Sequence, residues 1–204
     1  MYAWMKKLSL SAAMVAAAVT LSATFAQAQD IYPVEGGRTT VTLTKGFIDT
    51  LANLNIVPTA AVTSQLFDGA IDFPITSGAI SLKTAEGQIL HSGGINLTDR
   101  ARAVRLDSFI INTLDDKPFV TALVAIDGKF VGRIKLFDIT PPTDLTLPIV
   151  PKSGDFFLSG VKLTLDGEAA TALNGAFATK NFKTGANAGY SLSVVFVPLS
   201  ADTE

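Results

Sequence analysis

His91 is the only histidine in the chain, and it limits the catalysis that the sequence could support. A serine nucleophile needs an imidazole as its general base, so any Ser-His-Asp triad would have to include this residue. His91 stands in the run Leu90-His91-Ser92-Gly93-Gly94, which resembles a β-strand, and no G-x-S-x-G motif occurs elsewhere. We therefore predict no triad and interpret His91 as a strand residue with a satisfied hydrogen bond.

The sequence contains no recognisable metal site. Zinc needs three or four good ligands, whereas this chain offers one imidazole and no cysteine. Calcium would need aspartates at the spacing D-x-[DN]-x-[DN]-G, which none of the aspartates in predicted turns follows. These turn aspartates are Asp99, Asp115, Asp116 and Asp127. We interpret Asp115-Asp116 as a solvated turn and predict no metal.

Carboxylate pairs and basic regions are two further features that could form a site. Paired carboxylates of the glycosidase kind have no fixed spacing, so the sequence leaves them open, although the few aromatic residues do not favour a sugar site. Lys83, Arg100, Arg102 and Arg105 form the one modestly basic region, which we interpret as the solvent face of adjacent strands. The sequence therefore predicts a protein that is not an enzyme and has no catalytic residues.

The N-terminus has the pattern of a secretory signal peptide. Lys6 and Lys7 precede an uncharged, largely apolar run at residues 8–25, which ends in Ala26-Gln27-Ala28. Cleavage after Ala28 would leave residues 29–204 as a single exported domain. No cysteine follows the apolar run, so a lipoprotein anchor is not expected. The predicted location is periplasmic, secreted or on the cell surface.

The mature chain would be acidic and free of sulfur. The signal peptide holds two of the 16 basic residues, none of the 18 acidic residues, all three methionines and the only tryptophan. The net charge then changes from −2 to −4, so we expect no nucleic-acid partner. Without cysteine, stability has to come from packing. No transmembrane helix is expected in the mature chain.

Period-2 alternation of apolar and polar residues, broken by Gly, Asp and Pro, indicates strands and hairpins. Predicted strands cover residues 38–44, 70–76, 79–83, 88–97, 103–112, 120–126, 130–137, 156–165 and 190–197. Asp127-Gly128 separates two of them and is a favoured pair for a type I′ turn. Residues 140–154 contain four prolines, so we expect an extended crossover there.

Two segments have helical instead of strand periodicity. They cover residues 46–54 and 167–174, and Thr44 and Asp166 precede them at the N-cap position. Each follows a strand, and an offset of 122 residues aligns Leu51 with Leu173, which indicates a duplicated strand-to-helix unit. The alternative to duplication is that the two segments match only because any strand followed by a capped helix has this pattern. The predicted fold is all-β, a β-sandwich or barrel-like antiparallel sheet, with two short helices.

Three segments carry a resemblance to a known family. In Phe73-Pro74-Ile75, residues 87–97 and residues 104–111, the order of strands and glycines resembles that of the haem-transport-associated (HtaA) domain of bacterial surface proteins. The resemblance covers residues 70–140. It implies an exported all-β domain, and the family holds haem through a tyrosine and a histidine.

This chain departs from the family pattern at the ligand. The family histidine follows the glycine-rich strand, a place that Asp99-Arg100-Ala101-Arg102 occupies here, and the family's aromatic N-terminal region is absent. If haem is the ligand, the mature chain offers only His91, Tyr190 and Tyr32 as strong iron ligands. Two hypotheses follow. The first is a non-enzymatic module without a cofactor, which binds a protein partner or assembles at the envelope, and the second is a carrier of haem or a small apolar ligand.

Overall fold

The computed structural model describes residues 31–198, which form twelve antiparallel strands and two helices. The predicted signal peptide and its cleavage site lie outside these residues and stay predictions. The elements are β1 (Ile31–Val34), β2 (Gly36–Leu43), α1 (Lys45–Asn53), β3 (Val57–Ala61), β4 (Gln65–Phe67), β5 (Ala70–Ser81), β6 (Gly87–His91), β7 (Gly94–Thr98), β8 (Ala103–Asn112), β9 (Phe119–Ile126), β10 (Lys129–Thr140), β11 (Asp155–Leu165), α2 (Gly167–Ala176) and β12 (Asn187–Phe196). The prediction of a mostly β fold with two short helices is confirmed.

Eight of the strands close into an antiparallel barrel. Their order around the wall is β5, β2, β12, β11, β10, β9, β8 and β6, and β6 pairs again with β5. Of the two predicted architectures, the structure is therefore the barrel. The four remaining strands extend the wall: β1 and β4 pair with β5, β7 pairs with β8, and β3 pairs with β7.

The β9–β10 hairpin forms where the sequence predicts it. Asp127 and Gly128 have φ angles of 50° and 76°, and Ile126 pairs with Lys129 on either side of them. Two successive positive φ angles define a type I′ turn, whose twist matches that of the flanking strands. Local sequence alone accounts for this hairpin.

The strand boundaries differ from the prediction in the β5–β7 region. Residues 70–76 and 79–83 were expected to be separate, but β5 continues through an irregularity between Ile75 and Ser77. The run 88–97 was expected to be one strand, but it breaks into β6 and β7 at Ser92-Gly93. Gly93 has a φ of 84°, and a Cβ there would clash with the Ser64 hydroxyl oxygen and lie 2.8 Å from the Ser64 backbone nitrogen. The close approach of Ser64, which no local pattern indicates, therefore requires glycine at the break.

Both predicted helices are present with their predicted caps. The hydroxyl oxygen of Thr44 accepts a hydrogen bond from the Phe47 N–H at 3.2 Å, and the Asp166 carboxylate accepts one from the Glu168 N–H at 2.7 Å. Leu51 of α1 and Leu173 of α2, the residues that the 122-residue offset aligns, lie in the same core cluster. The two helices thus cover one end of the barrel.

The segment between β10 and β11, residues 141–154, contains four prolines. Its only β-pairing in the described structure is an isolated bridge between Lys152 and Asp155. β10 and β11 pair only over Phe137–Thr140 and Lys162–Leu165. The proline-rich crossover spans the part of the wall where they do not pair. It is fixed there partly by the Ile149 N–H, which donates to the Leu82 carbonyl at 2.7 Å.

The buried apolar residues form two clusters along the barrel. The larger one surrounds the helices and includes Leu51, Leu136 and Leu173. The smaller one, with Ile80 and Val195, lies near the opposite end under the crossover. Within residues 31–198 no helix has both the length and the apolarity to cross a membrane.

Candidate functional site

A cavity of about 390 Å³ lies inside the barrel, between the two apolar clusters. Its size falls within the range of small-molecule sites, which is about 300–1,000 Å³. At the end opposite the helices it reaches the surface between three loops, residues 82–86, 113–118 and 141–154, which we call the mouth. The apolar wall includes Val41, Leu43, Ile71, Phe73, Ile89, Leu106, Phe109, Ile111, Leu136, Ile139, Leu158, Val161 and Leu163, and the crossover adds Pro141, Pro142, Leu145 and Leu147.

One band of polar side chains interrupts this wall. Thr39 of β2 faces Ser193 of β12 across the strand pair, and their hydroxyl oxygens are 2.9 Å apart. The same Thr39 oxygen lies 2.8 Å from Nε2 of His91, which comes from β6. Ser191, two residues before Ser193 on the same face of its strand, also lines the cavity. We call these four residues the polar layer.

His91 is buried and uncharged. Its side chain is only 6 % exposed. Desolvation lowers the pKa of His91 from its usual 6.5 to about 4, although attraction to backbone groups of Phe109 and Ile89 offsets part of this effect. Its other ring nitrogen, Nδ1, is buried, has almost no accessible surface and makes no hydrogen bond of good geometry among residues 31–198. The imidazole is therefore held by the Thr39 hydroxyl and by the nearby backbone groups of Phe109 and Ile89.

The structure separates the three residues that were considered as iron ligands. His91 lines the cavity. Tyr190 lies on the outer surface of β12, is 46 % exposed, and its hydroxyl accepts a hydrogen bond from Asn187. Tyr32 is half-buried on β1 and packs against the smaller apolar cluster. Neither tyrosine is among the residues that line the cavity with His91.

Residues 99–102, at the place where the HtaA domains that this chain resembles carry their histidine, form a tight turn with hydrogen bonds of their own. The Asp99 carboxylate accepts hydrogen bonds from the backbone N–H groups of Ala101 and Arg102, and the Arg102 guanidinium pairs with Asp127 at 2.6 Å. Arg105, the next basic residue, pairs with Asp107. Among the described residues no group of three or more acidic, histidine or cysteine side chains could hold a metal ion.

Sequence reasoning missed Thr39, Ser191 and Ser193 as site residues. On β12 the larger residues Tyr190 and Leu192 are exposed, whereas the serines between them are buried. Small hydroxyl residues in alternation with large apolar ones normally indicate an outward polar face, whereas here the hydroxyl residues point inward. Only the barrel interior, which the sequence does not show, reveals why the serines point inward.

Comparison with solved structures identifies the fold. No protein-family model matches the sequence, and no curated protein matches it either. The C-terminal domain of HtaA from Corynebacterium glutamicum aligns with a TM-score of 0.63 and 15 % identity, over 82 % of this chain and 99 % of that one. The N-terminal domain of the same protein gives 0.59 and 10 %, over 80 % and 98 %. The heme binding protein HtaB from that organism gives 0.58 and 9 %, over 82 % and 96 %. The HtaA-like resemblance is therefore confirmed as a resemblance of fold.

Proposed function

We propose that this protein binds a small, uncharged and largely apolar ligand inside its barrel, as an exported binding or carrier module without catalytic activity. The observation that carries the proposal is the cavity, whose wall is apolar except for the polar layer and a few residues at the mouth. It favours a ligand carrier over a module that only assembles at the envelope. The export part of the proposal rests on the predicted signal peptide.

The volume of the cavity argues against a simple packing defect. An empty apolar cavity costs about 24 cal/mol per Å³, so 390 Å³ corresponds to roughly 9 kcal/mol. That figure is as large as the whole stability of a typical domain, which is about 5–15 kcal/mol. Water that enters through the mouth lowers this free-energy cost, but it makes few favourable contacts with the apolar wall. A ligand that fills the cavity would recover much of this free energy.

The charges around the cavity favour an uncharged ligand. Apart from the neutral His91, no acidic or basic side chain is among the described residues that line it. The mouth loops carry three lysines and four carboxylates, which nearly balance: Lys83, Lys117, Lys152, Glu86, Asp115, Asp116 and Asp144. Neither a cation nor an anion would therefore find a compensating field inside, and a buried charge without a partner is costly.

The proposal is tested by titration with N-phenyl-1-naphthylamine, an uncharged fluorophore whose emission rises in apolar surroundings. We expect saturable enhancement with one molecule bound per chain. Val161→Phe, which adds volume at the cavity wall, should weaken binding by about tenfold or more. Leu192→Phe, on the outer surface of the neighbouring strand, is the matched control and should bind like the wild type. Equal binding by the two variants, or none by the wild type, would overturn the proposal.

Haem is a second candidate, which the shared fold with the heme binding protein HtaB favours. The residues present fit it only in part. His91 places an imidazole in the cavity wall, and the apolar remainder of the wall suits a porphyrin ring, but Nε2 is bonded to Thr39 and Nδ1 has almost no accessible surface, so the ring would have to turn to ligate iron. The two propionates, however, find no basic side chain among the lining residues, and neither candidate tyrosine lies there. Only His91 would then be available to hold the iron. Haem, when bound, would supply a redox-active iron centre.

The haem candidate is tested by titration with haemin and measurement of the Soret band. If haem binds in the barrel, a sharp band should form at one haem per chain and disappear in His91→Ala. Tyr190→Phe and Tyr32→Phe are controls and should leave the band unchanged. A band that depends on either tyrosine would place the haem outside the cavity. Absence of a stoichiometric band would rule out haem and leave the uncharged apolar ligand as the remaining candidate.

A further inference from the structure

The outer face of β11 and β12 carries large apolar side chains, and we infer that two copies of this chain pair through this face about a twofold axis. The inference goes beyond the proposed function and does not depend on it, because these side chains point away from the cavity. The pattern of β12 is inverted, with small residues inside the barrel and large apolar residues outside. In an antiparallel sheet with one face in water, that face is normally polar.

Four apolar side chains follow one another along the outside of β12, and a fifth lies beside them on β11. We call them the apolar stripe: Tyr190, Leu192, Val194, Phe196 and, paired with Val194, Phe157. Phe157 is 60 % exposed, and Tyr190 and Phe196 are both 46 % exposed. The stripe runs over six residue steps of β12, which is about 20 Å.

The apolar area of the stripe suits a contact between two copies. A buried aromatic side chain covers about 150–250 Å², so three aromatic rings at about half exposure, with the exposed part of Leu192, leave roughly 400 Å² of apolar surface in water. A stable interface buries about 800 Å² on each partner, and a little over half of this area is apolar. The stripe therefore supplies most of the apolar part, and its polar neighbours have to supply the rest.

The charged neighbours on β11 lie at the two ends of the stripe and have opposite signs. Asp155 pairs with Phe196 at one end, and Lys162 pairs with Tyr190 at the other, so both side chains share the outward face. Neither Asp155 nor Lys162 forms an ion pair within the part of the chain that the structure describes. They are about 20 Å apart along the strand and cannot reach each other within one chain. A second copy that runs in the opposite direction would pair both.

One twofold axis satisfies both charges. It lies across the strands, between Leu192 and Val194, and turns β11 of one copy over β11 of the other in the opposite direction. Asp155 then faces Lys162 of the partner subunit, and symmetry repeats the contact. A twofold axis along the strands would instead set β11 over β2 of the partner and leave both charges without an ion pair. The charges therefore select the first arrangement.

The same rotation also matches the side chains of the stripe. It sets Phe196 over Tyr190 of the partner subunit, and two aromatic rings in contact are more favourable than their area alone. It sets Phe157 over Ser159 of the partner subunit, so the most exposed ring of the stripe meets a small side chain. Each contact occurs twice, as a self-complementary interface requires.

The interface is tested by sedimentation velocity of the exported protein from micromolar to submillimolar concentration. We expect a reversible equilibrium between monomer and dimer. Phe157→Lys, which places a charge in the stripe, should weaken self-association by about tenfold or more. Phe130→Lys, the same change at an exposed phenylalanine of β10, is the matched control and should associate like the wild type. A wild type that stays monomeric, or a dimer that persists in Phe157→Lys, would overturn the inference.

Charge reversal tests the direction of the two copies. Asp155→Lys and Lys162→Asp each place like charges opposite each other across the twofold axis, so each should weaken the dimer by about fivefold or more at low salt. The double reversal restores opposite charges and should return the association constant to near the wild-type value. A double variant as weak as the single variants would overturn the antiparallel arrangement.

Two further measurements separate this inference from other readings of the same face. Every variant should keep its far-ultraviolet spectrum and bind N-phenyl-1-naphthylamine like the wild type, because the changed side chains lie outside the barrel. A wild type that dimerises but does not bind the fluorophore would overturn the proposed function and leave the interface intact. Monomers that sediment with phosphatidylcholine vesicles through the stripe would overturn the inference and assign the face to a lipid surface.

Discussion

Mild acid should destabilise this protein because of one buried imidazole. The pKa of His91 is about 4 in the folded state, against an ordinary value of 6.5 in an unfolded chain. Between these two values the unfolded chain binds a proton that the folded protein excludes, so lowering the pH favours unfolding. The contribution of neutral His91 is fully present above pH 6.5 and is lost as the pH falls towards 4.

The size of the effect follows from the two pKa values. Each unit of difference corresponds to about 1.36 kcal/mol, so the complete loss is about 3 kcal/mol. At pH 5 the loss is about 2 kcal/mol, because the unfolded histidine is then almost fully protonated and the folded one almost fully neutral. Either value is a large share of the stability of a domain of this size.

The assay is urea denaturation followed by far-ultraviolet circular dichroism at pH 7.5 and pH 5. His91→Gln is the control, because its amide can reach towards Thr39 but does not titrate. His91 is the only histidine, so no other imidazole contributes to the difference between the two proteins. The same residue gives a single set of imidazole signals by NMR, which reports its pKa directly.

The expected result is a wild-type stability that falls by about 2 kcal/mol more than that of His91→Gln between the two pH values. Equal pH dependence in both proteins would refute the reasoning. An imidazole that titrates near 6.5 in the folded protein would refute it as well, because it would mean that His91 is solvated and does not face a dry cavity.

Three further predictions concern stability and processing. Gly93→Ala should lower the unfolding free energy by about 2 kcal/mol or more, because its Cβ would clash with Ser64 at a residue with positive φ. Gly175→Ala, which lies in open space on α2, should raise the unfolding free energy by about 0.5–1 kcal/mol. Urea denaturation measures both variants, and equal effects would contradict the structure. Thr44→Ala should cost about 1 kcal/mol through loss of the N-cap of α1, and an unchanged unfolding midpoint would show that the cap is dispensable. Mass spectrometry of the exported protein should find Gln29 at its N-terminus, and an intact leader would contradict the predicted signal peptide.

The features that the sequence predicted well are those that neighbouring residues determine. The Asp127-Gly128 hairpin needs only two residues that tolerate positive φ, and the caps at Thr44 and Asp166 need only one side chain each. The edge strands β1 and β3 escaped prediction because each is short and contains a proline, at Pro33 and Pro58. Their pairing with β5 and β7 depends on the folded barrel and not on a local pattern.

The candidate site was only partly predictable for a related reason. His91 was identified because it is unique in the chain, but its side-chain hydrogen bond is made with Thr39, which is 52 residues away in sequence. Ser191 and Ser193 were not considered as site residues, since strand alternation does not say which face is inside. An internal cavity can accept small polar residues that a fully packed core would reject, and no pattern along one strand indicates such a cavity.

The proline-rich crossover also bears on how an open strand edge is protected. Residues 156–161 of β11 have no strand partner on the side of β10 among the described residues, so the wall contains an open edge. Open edges can pair with strands of other molecules and start aggregation. Pro142 of the crossover lies beside Gly160 on this edge, and proline has no N–H group with which to extend a sheet. The segment therefore lies along the open edge without forming a new open edge itself. Its prolines should keep the protein soluble at concentrations where a strand-forming sequence in the same place would aggregate.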